Sequence, residues 1–239
     1  MTERPILFSA PMVWALLAGR KTQTRRVMNP QPTPHFTIDV DYWTSGKHAG
    51  ELGRAPRSTP YGVPGDRLWV REPQRVITIR ESRLGTSDLG YVSEIRVECL
   101  ADGVESEWIP YPQRMRWQPK MFALLPRGSY RESARLTFEL TAVRVERVQD
   151  ITIADAMAEG FARVTKDGGV TYKYGIPDRD GLPGTDDLGW PWREWETDPR
   201  VAYTKLWDRI NAARGYPWSS NPWVWVLTFR RVESAVQAA

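Results

Sequence analysis

Lys21 and Thr24 stand three residues apart just after Gly19, in the run Gly-Arg-Lys-Thr-Gln-Thr-Arg-Arg-Val at 19–27. A threonine hydroxyl attacks a carbonyl only when a base takes its proton, and an ammonium cannot be that base. Arg20, Arg25 and Arg26 flank Lys21 in sequence; a lysine among cations and partly removed from water loses its proton more readily. The pair therefore fits the base and nucleophile of an acyl transfer. In a regular strand, positions 21 and 24 face opposite sides, so they converge only if Lys21 still lies in the turn after Gly19. A plainer reading makes Lys21 and Arg25 a solvated strand edge and Thr24 a β-former. The chain holds one cysteine, Cys99, and two histidines, His35 and His48. Catalysis then falls to Thr, Ser, Lys, Asp, Glu or Arg, and neither a disulfide nor a metal or other cofactor is expected.

The elements that must position these residues follow from local punctuation. Residues 11–18 put proline at a first helical position and run into Gly19, predicting a short buried helix. Two threonines and Val27 then favour an extended strand. Six prolines between 29 and 65 mark an irregular insertion. Gly65-Asp66 reads as a turn feeding a strand to Glu72, with Leu68 and Val70 on one face and Trp69 and Arg71 on the other. Residues 73–130 are expected to hold only short strands, for instance Tyr91 to Leu100. Between Ala134 and Val148 apolar residues alternate and slip once near 142 and 143, predicting a bulged strand.

Thr152 opens a helix closed by Gly160, with Asp155 where a capping box would have Glu or Gln. Glu159 ends that helix; on spacing alone it could equally be a surface carboxylate. Residues 164–198 read as a long loop in which Trp190, Trp192 and Trp195 either pack back over the sheet or form a stacking lid. Asp198-Pro199 starts a helix running to about Arg214, its apolar face Val201, Ala202, Leu206, Trp207 and Ile210. A last strand covers 223–229, with a frayed tail after Glu233.

Short strands, three short helices and no βαβ alternation predict an α+β fold, a small curled sheet with helices at its rim. One domain over 1–239 is expected, with insertions at about 29–62, 73–130 and 164–198. No Gly-rich phosphate loop is present, which argues against a nucleotide triphosphatase or a Rossmann dehydrogenase. Of 239 residues, 41% are hydrophobic and 26% charged, a globular balance. The net charge is only +4, yet 27 of the 33 basic residues are arginine. Guanidinium suits phosphate and carboxylate recognition, although genomic base composition accounts for the same excess and the acids are interspersed. No run nears the roughly 18 apolar residues of a membrane span, and the first residues lack the pattern of a secretory signal. A cytoplasmic protein without membrane contact is expected, and no heptad demands a partner, so a monomer is expected.

Four stretches together resemble a known family. Ile6 to Ser9, Gly19 to Arg26, Gly65 to Glu72 and Asp155 to Phe161 look like the ASCH domain, a PUA-like family. The long insertions, with Leu206 to Asn211 and Asn221 to Val226, resemble the larger ASCH proteins of tailed phages and prophages. The resemblance implies a PUA-like small curled β-barrel whose cleft is lined by the first helix and the following strand. Some members bind RNA, and a small bacterial member removes the acetyl group from N(4)-acetylcytidine. The likeness to that enzyme falls on Lys21, Thr24 and Arg26, and Glu159 matches its glutamate on the helix after the long strand. It implies an amidohydrolase with catalytic Lys21, Thr24 and Glu159 acting on a modified pyrimidine base or nucleoside. The alternative is an RNA-binding or ribonuclease-like module. A pyrimidine ring wants an aromatic face or a guanidinium plane, for which Phe8, Trp69 and Arg26 are candidates, with Glu72 as a further binding residue. Phe8 and Trp69 fit the core as well, and Arg26 could simply pair with Glu72.

Overall fold

The computed structural model describes residues 1–32, 59–83, 90–112, 119–125, 130–184 and 189–232. Most of the proline-rich insertion, with both histidines, and the tail after 232 lie outside the described residues.

The alternating run near 140 becomes β7, Thr137–Arg147, and it pairs with the terminal strand β10, Trp223–Val232. Their register shifts where Ala142 faces Thr228 and Leu140 faces Phe229, leaving Thr141 as the extra, exposed residue of a bulge. Around this pair stand β1 (Glu3–Leu7), β2 (Gln23–Val27) and β3 (Arg67–Arg71), giving one five-stranded sheet in the order β1-β3-β7-β10-β2. Only β1 and β3 run parallel; every other pairing is antiparallel. Among the described residues the sheet does not close into a barrel. The ladder stays open between β1 and β2, where the contact is made by a side chain: the Arg26 guanidinium donates to the Leu7 carbonyl at 2.7 Å.

Local sequence accounts for the helices. Helix α1, Ala10–Leu17, has proline in its first turn, buries Met12, Val13, Ala15 and Leu16, and stops where Gly19 takes φ +71°. Helix α2, Ile153–Ala158, is capped by the Thr152 hydroxyl, which accepts from the Asp155 amide at 3.1 Å. Helix α3, Pro199–Asn211, is capped by Asp198, whose carboxylate accepts from the Arg200 amide at 2.7 Å. Its buried face differs from the expected one. Ala202, Tyr203, Trp207 and Asn211 are buried, while Val201 points outward at 45% exposure. The tyrosine and asparagine displace the apolar residue because they face a cleft that has its own polar groups.

The region 73–130 is more regular than its composition suggests. Strands β4 (Gln74–Arg83) and β5 (Gly90–Cys99) are ten residues each and pair with one another, and β5 also pairs with the short β6 (Ile109–Pro110). They carry a second apolar core of Val76, Val92, Ile95, Val97, Ile109, Tyr111, Leu125 and Tyr130. The expected long loop at 164–198 is likewise ordered in part, with a hairpin of β8 (Ala162–Val164) and β9 (Lys173–Gly175). Trp190 and Trp195 pack back into the main core, the Trp195 indole donating to the Trp190 carbonyl at 2.8 Å. No lid forms from these two; Trp192 is half-buried, tilted against Trp195 at 5.9 Å. Among the described residues no helix is long and apolar enough to cross a membrane.

Candidate active site

Helix α1 ends one turn before β2 begins, and Lys21 occupies the gap. Its backbone amide donates to the Ala15 carbonyl at 3.1 Å, and it forms an isolated bridge with Glu159 rather than belonging to β2. Lys21 thus lies between the turn at 18–19 and β2, outside the strand's alternation. The bridge holds the end of α2 against the end of α1, with the Thr22 amide donating to the Ala158 carbonyl at 2.9 Å. Gly160 makes this approach possible. Its φ is +111°, and a Cβ there would lie 2.9 Å from that of Ala15 and 3.2 Å from that of Lys21.

The result is a buried ion pair facing a cleft. Lys21 Nζ donates to Glu159 Oε2 at 2.7 Å and to the Glu159 carbonyl at 2.9 Å, with both residues 3% exposed. Two of the ammonium's three donors are thereby used, and the Phe8 ring centroid lies 5.6 Å from the nitrogen. Burial pulls the Lys21 pKa below its ordinary value; the Glu159 charge opposes this, while Arg26 and Arg25 add to it.

Beneath the pair lies a second layer of charge. The Arg25 guanidinium is fully buried and donates to Glu159 Oε1 at 3.4 Å, Gln23 Oε1 at 2.6 Å, Glu146 Oε2 at 3.1 Å and Asp155 Oδ2 at 3.1 Å. Arg144 closes the far side on Glu146 and, at 2.8 Å, on Asp155. Burial alone would raise the Asp155 pKa; the hydrogen bond from Gln23 and the charges of Arg144 and Arg25 outweigh it and hold the carboxyl below its ordinary range. Asp155, placed by sequence as a capping residue, thus lends its backbone amide to Thr152 and its carboxylate to this network. Arg25, read from sequence as one more local cation or a solvated edge, is the network's hub.

A cavity of about 810 Å³ opens above these groups. Lys21, Thr24 and Glu159 all line it, as do Phe8 and Arg26. Thr24 is buried, 4% exposed. Phe8 serves both readings: it is 4% exposed, packs edge-on against Phe229 at 6.3 Å and carries the Arg26 guanidinium 5.0 Å from its centroid.

Comparison with protein-family models, curated proteins and solved structures gave no match.

Two sequence candidates stand elsewhere. Trp69 is half-buried on the face of β3 opposite Leu68 and Val70 and does not line the cavity. Glu72 is fully buried and bound by Arg135 through two hydrogen bonds of 2.9 Å, with Asp102 on the same guanidinium at 2.7 and 3.0 Å. It is not paired with Arg26, which donates instead to the Leu7 carbonyl. In their place α3 supplies Tyr203 and Trp207 to the cleft wall. Burial, and then the Glu159 charge, push the Tyr203 hydroxyl well above its ordinary range despite Arg25 and Arg26. The alternation of α3 predicted Trp207 as core; Tyr203 left no signal because tyrosine fits a surface as readily. Among the described residues no group of three or more His, Cys, Asp or Glu is placed to hold a metal ion.

Proposed function

We propose that this chain is an amidohydrolase that removes the acyl group from the exocyclic amine of an N(4)-acylated cytosine, with Lys21 as base, Thr24 as nucleophile and Glu159 as the residue that orients Lys21 and returns a proton. The observation that carries this reading is the meeting of three groups at one cavity: a desolvated amine held at 2.7 Å by the Glu159 carboxylate, with Thr24 lining the same cavity. The neutral Lys21 amine takes the Thr24 proton as Oγ1 bonds to the amide carbonyl carbon. The tetrahedral oxyanion lies beside the cations Lys21 and Arg26. Its collapse breaks the C–N bond, the cytosine amine leaves with a proton from Lys21 or Glu159, and water then hydrolyses the acyl-threonine ester. A route in which Lys21 activates water directly uses the same groups.

The reading takes the open five-stranded ladder as the curled, PUA-like sheet of an ASCH domain, supported by the Arg26 contact that spans its two edges. Purified protein is expected to convert N(4)-acetylcytidine to cytidine, followed by the ultraviolet change. Lys21→Ala, Thr24→Ala and Glu159→Ala should each lose about 100-fold or more of that rate while keeping the parent's circular dichroism. No turnover by the parent, together with salt-dependent retention of RNA, would replace the enzyme by the RNA-binding module, which the arginine-rich cleft also suits.

A further inference from the structure

The charges around the cavity are not balanced in the same way at its floor and at its mouth. At the floor every cation has an acid beside it: Lys21 has Glu159, and Arg25 has Glu159, Glu146 and Asp155. At the mouth the lining itself carries no acid. Arg26, Arg71, Arg209 and Arg214 line the mouth, and Glu159 at the floor is the one acidic residue among the described lining residues. Arg209 is paired with Glu194, which lies outside the lining, and Arg26 is held by the Leu7 carbonyl. Arg214, exposed after the last turn of α3, has no ion-pair partner among the described residues. Arg71 ends β3 directly opposite Leu7 in β1, so its backbone is fixed by the sheet.

We infer that this rim holds a phosphate, and that the substrate is a nucleotide carrying the acylated cytosine rather than a free base or nucleoside. The inference rests on the deacylase reading for the identity of the base, and on the rim for the phosphate. A neutral acylated base or nucleoside gains nothing from guanidinium groups at its entrance, whereas a phosphate gains charge-assisted hydrogen bonds from Arg214 and from the N–H groups of Arg26 that Leu7 does not take. The cavity also has room to spare: about 810 Å³ lies in the upper part of the range of roughly 300–1,000 Å³ for small-ligand sites. With the floor neutralised internally, the acyl amide enters a site of fixed charge balance while the excess positive potential stays at the mouth, where an anion first meets the protein.

Calorimetric titration of the full chain with cytidine and with cytidine 5′-monophosphate tests this without requiring turnover. The monophosphate is expected to bind about tenfold tighter or better. That preference should collapse in about 1 M salt, and shrink in Arg214→Gln and Arg71→Gln with the circular dichroism unchanged. Equal affinity for the two compounds overturns the inference, whatever the protein does to N(4)-acetylcytidine. Conversely, a preserved preference for the monophosphate without turnover of either N(4)-acetylcytidine or its 5′-monophosphate upholds the phosphate site and discards the deacylase. Competition by a short RNA bearing an internal N(4)-acetylcytidine separates the sources of phosphate. Displacement of the monophosphate at about tenfold lower concentration assigns the rim to the phosphodiesters of a chain, and weaker displacement assigns it to a free nucleotide.

Discussion

Lys21 is asked to be a base while a carboxylate sits 2.7 Å from its nitrogen, and the two demands pull in opposite directions. Burial favours the neutral amine, Glu159 favours the ammonium, and Arg26 and Arg25 favour the amine again, so the pKa lies below its ordinary value of 10.5. The sign for stability follows: between the folded pKa and the ordinary value the unfolded chain holds the proton that the folded chain has lost, so this residue's contribution to stability rises with pH across that window. The sign for chemistry is the same, since the neutral fraction grows with pH. A carbon-13 NMR titration of the Lys21 side chain is expected to give a midpoint below 10.5, and kcat/KM for N(4)-acetylcytidine should rise through the same midpoint. In Glu159→Gln the midpoint should move lower still, because the group that favours the ammonium is gone. A midpoint that stays put or rises in that variant would remove Glu159 from control of the amine.

At the scale of elements, the site depends on how closely the ends of α1 and α2 approach, and Gly160 sets that distance. Gly160→Ala would place a methyl 2.9 Å from the Ala15 Cβ at a residue whose φ is +111°. Urea unfolding is expected to show a loss of about 1–3 kcal/mol, with activity falling further than stability because Glu159 is the preceding residue. This end of α2 was readable in the sequence, since Thr152 and Gly160 are local punctuation and fix the helix without knowledge of its surroundings. The stop of α1 at Gly19 was readable for the same reason, but whether Lys21 belongs to the following strand was left open, and it is the bridge to Glu159 that keeps it apart from β2. Arg25 was not readable. Its burial is decided by Glu146 and Asp155, 121 and 130 positions away, and nothing in the spacing of 19–27 reports them. Glu72 failed likewise, its partner Arg135 lying 63 residues on. In the second sheet β5 falls on the expected Tyr91 to Leu100, whereas β4 was obscured by charged residues on its outer face, where Arg75 and Arg80 pair with Glu98 and Glu94 across the hairpin and dilute the apolar alternation.

The whole molecule joins two apolar cores, and Arg135 is where they are tied. It follows the turn after Tyr130 and binds Glu72, at the end of the main sheet's β3, together with Asp102, just beyond β5 of the smaller sheet. Gln74 adds a second tie, its amide donating to the Ser133 carbonyl at 3.0 Å. Glu72 is fully buried while Arg135 keeps 25% of its side chain exposed and Asp102 13%, so loss of the arginine removes a charged partner from a dry carboxylate and from one with access to water. Arg135→Met is therefore expected to cost about 3–5 kcal/mol in urea unfolding, the penalty for a buried charge that has lost its partner. Glu72→Gln in the same chain should recover part of that loss, because burial costs a neutral amide less than a carboxylate. The second substitution separates two accounts of the tie. If Arg135 serves mainly to neutralise Glu72, the double variant regains stability and hydrogen exchange in β4 and β5 stays close to the parent's. If it serves mainly to hold the smaller sheet through Asp102, exchange in those strands accelerates in both variants alike. The burial of Glu72 favours the first outcome, and the cleft, which touches neither Glu72 nor Asp102, should keep its affinity for cytidine 5′-monophosphate in the double variant.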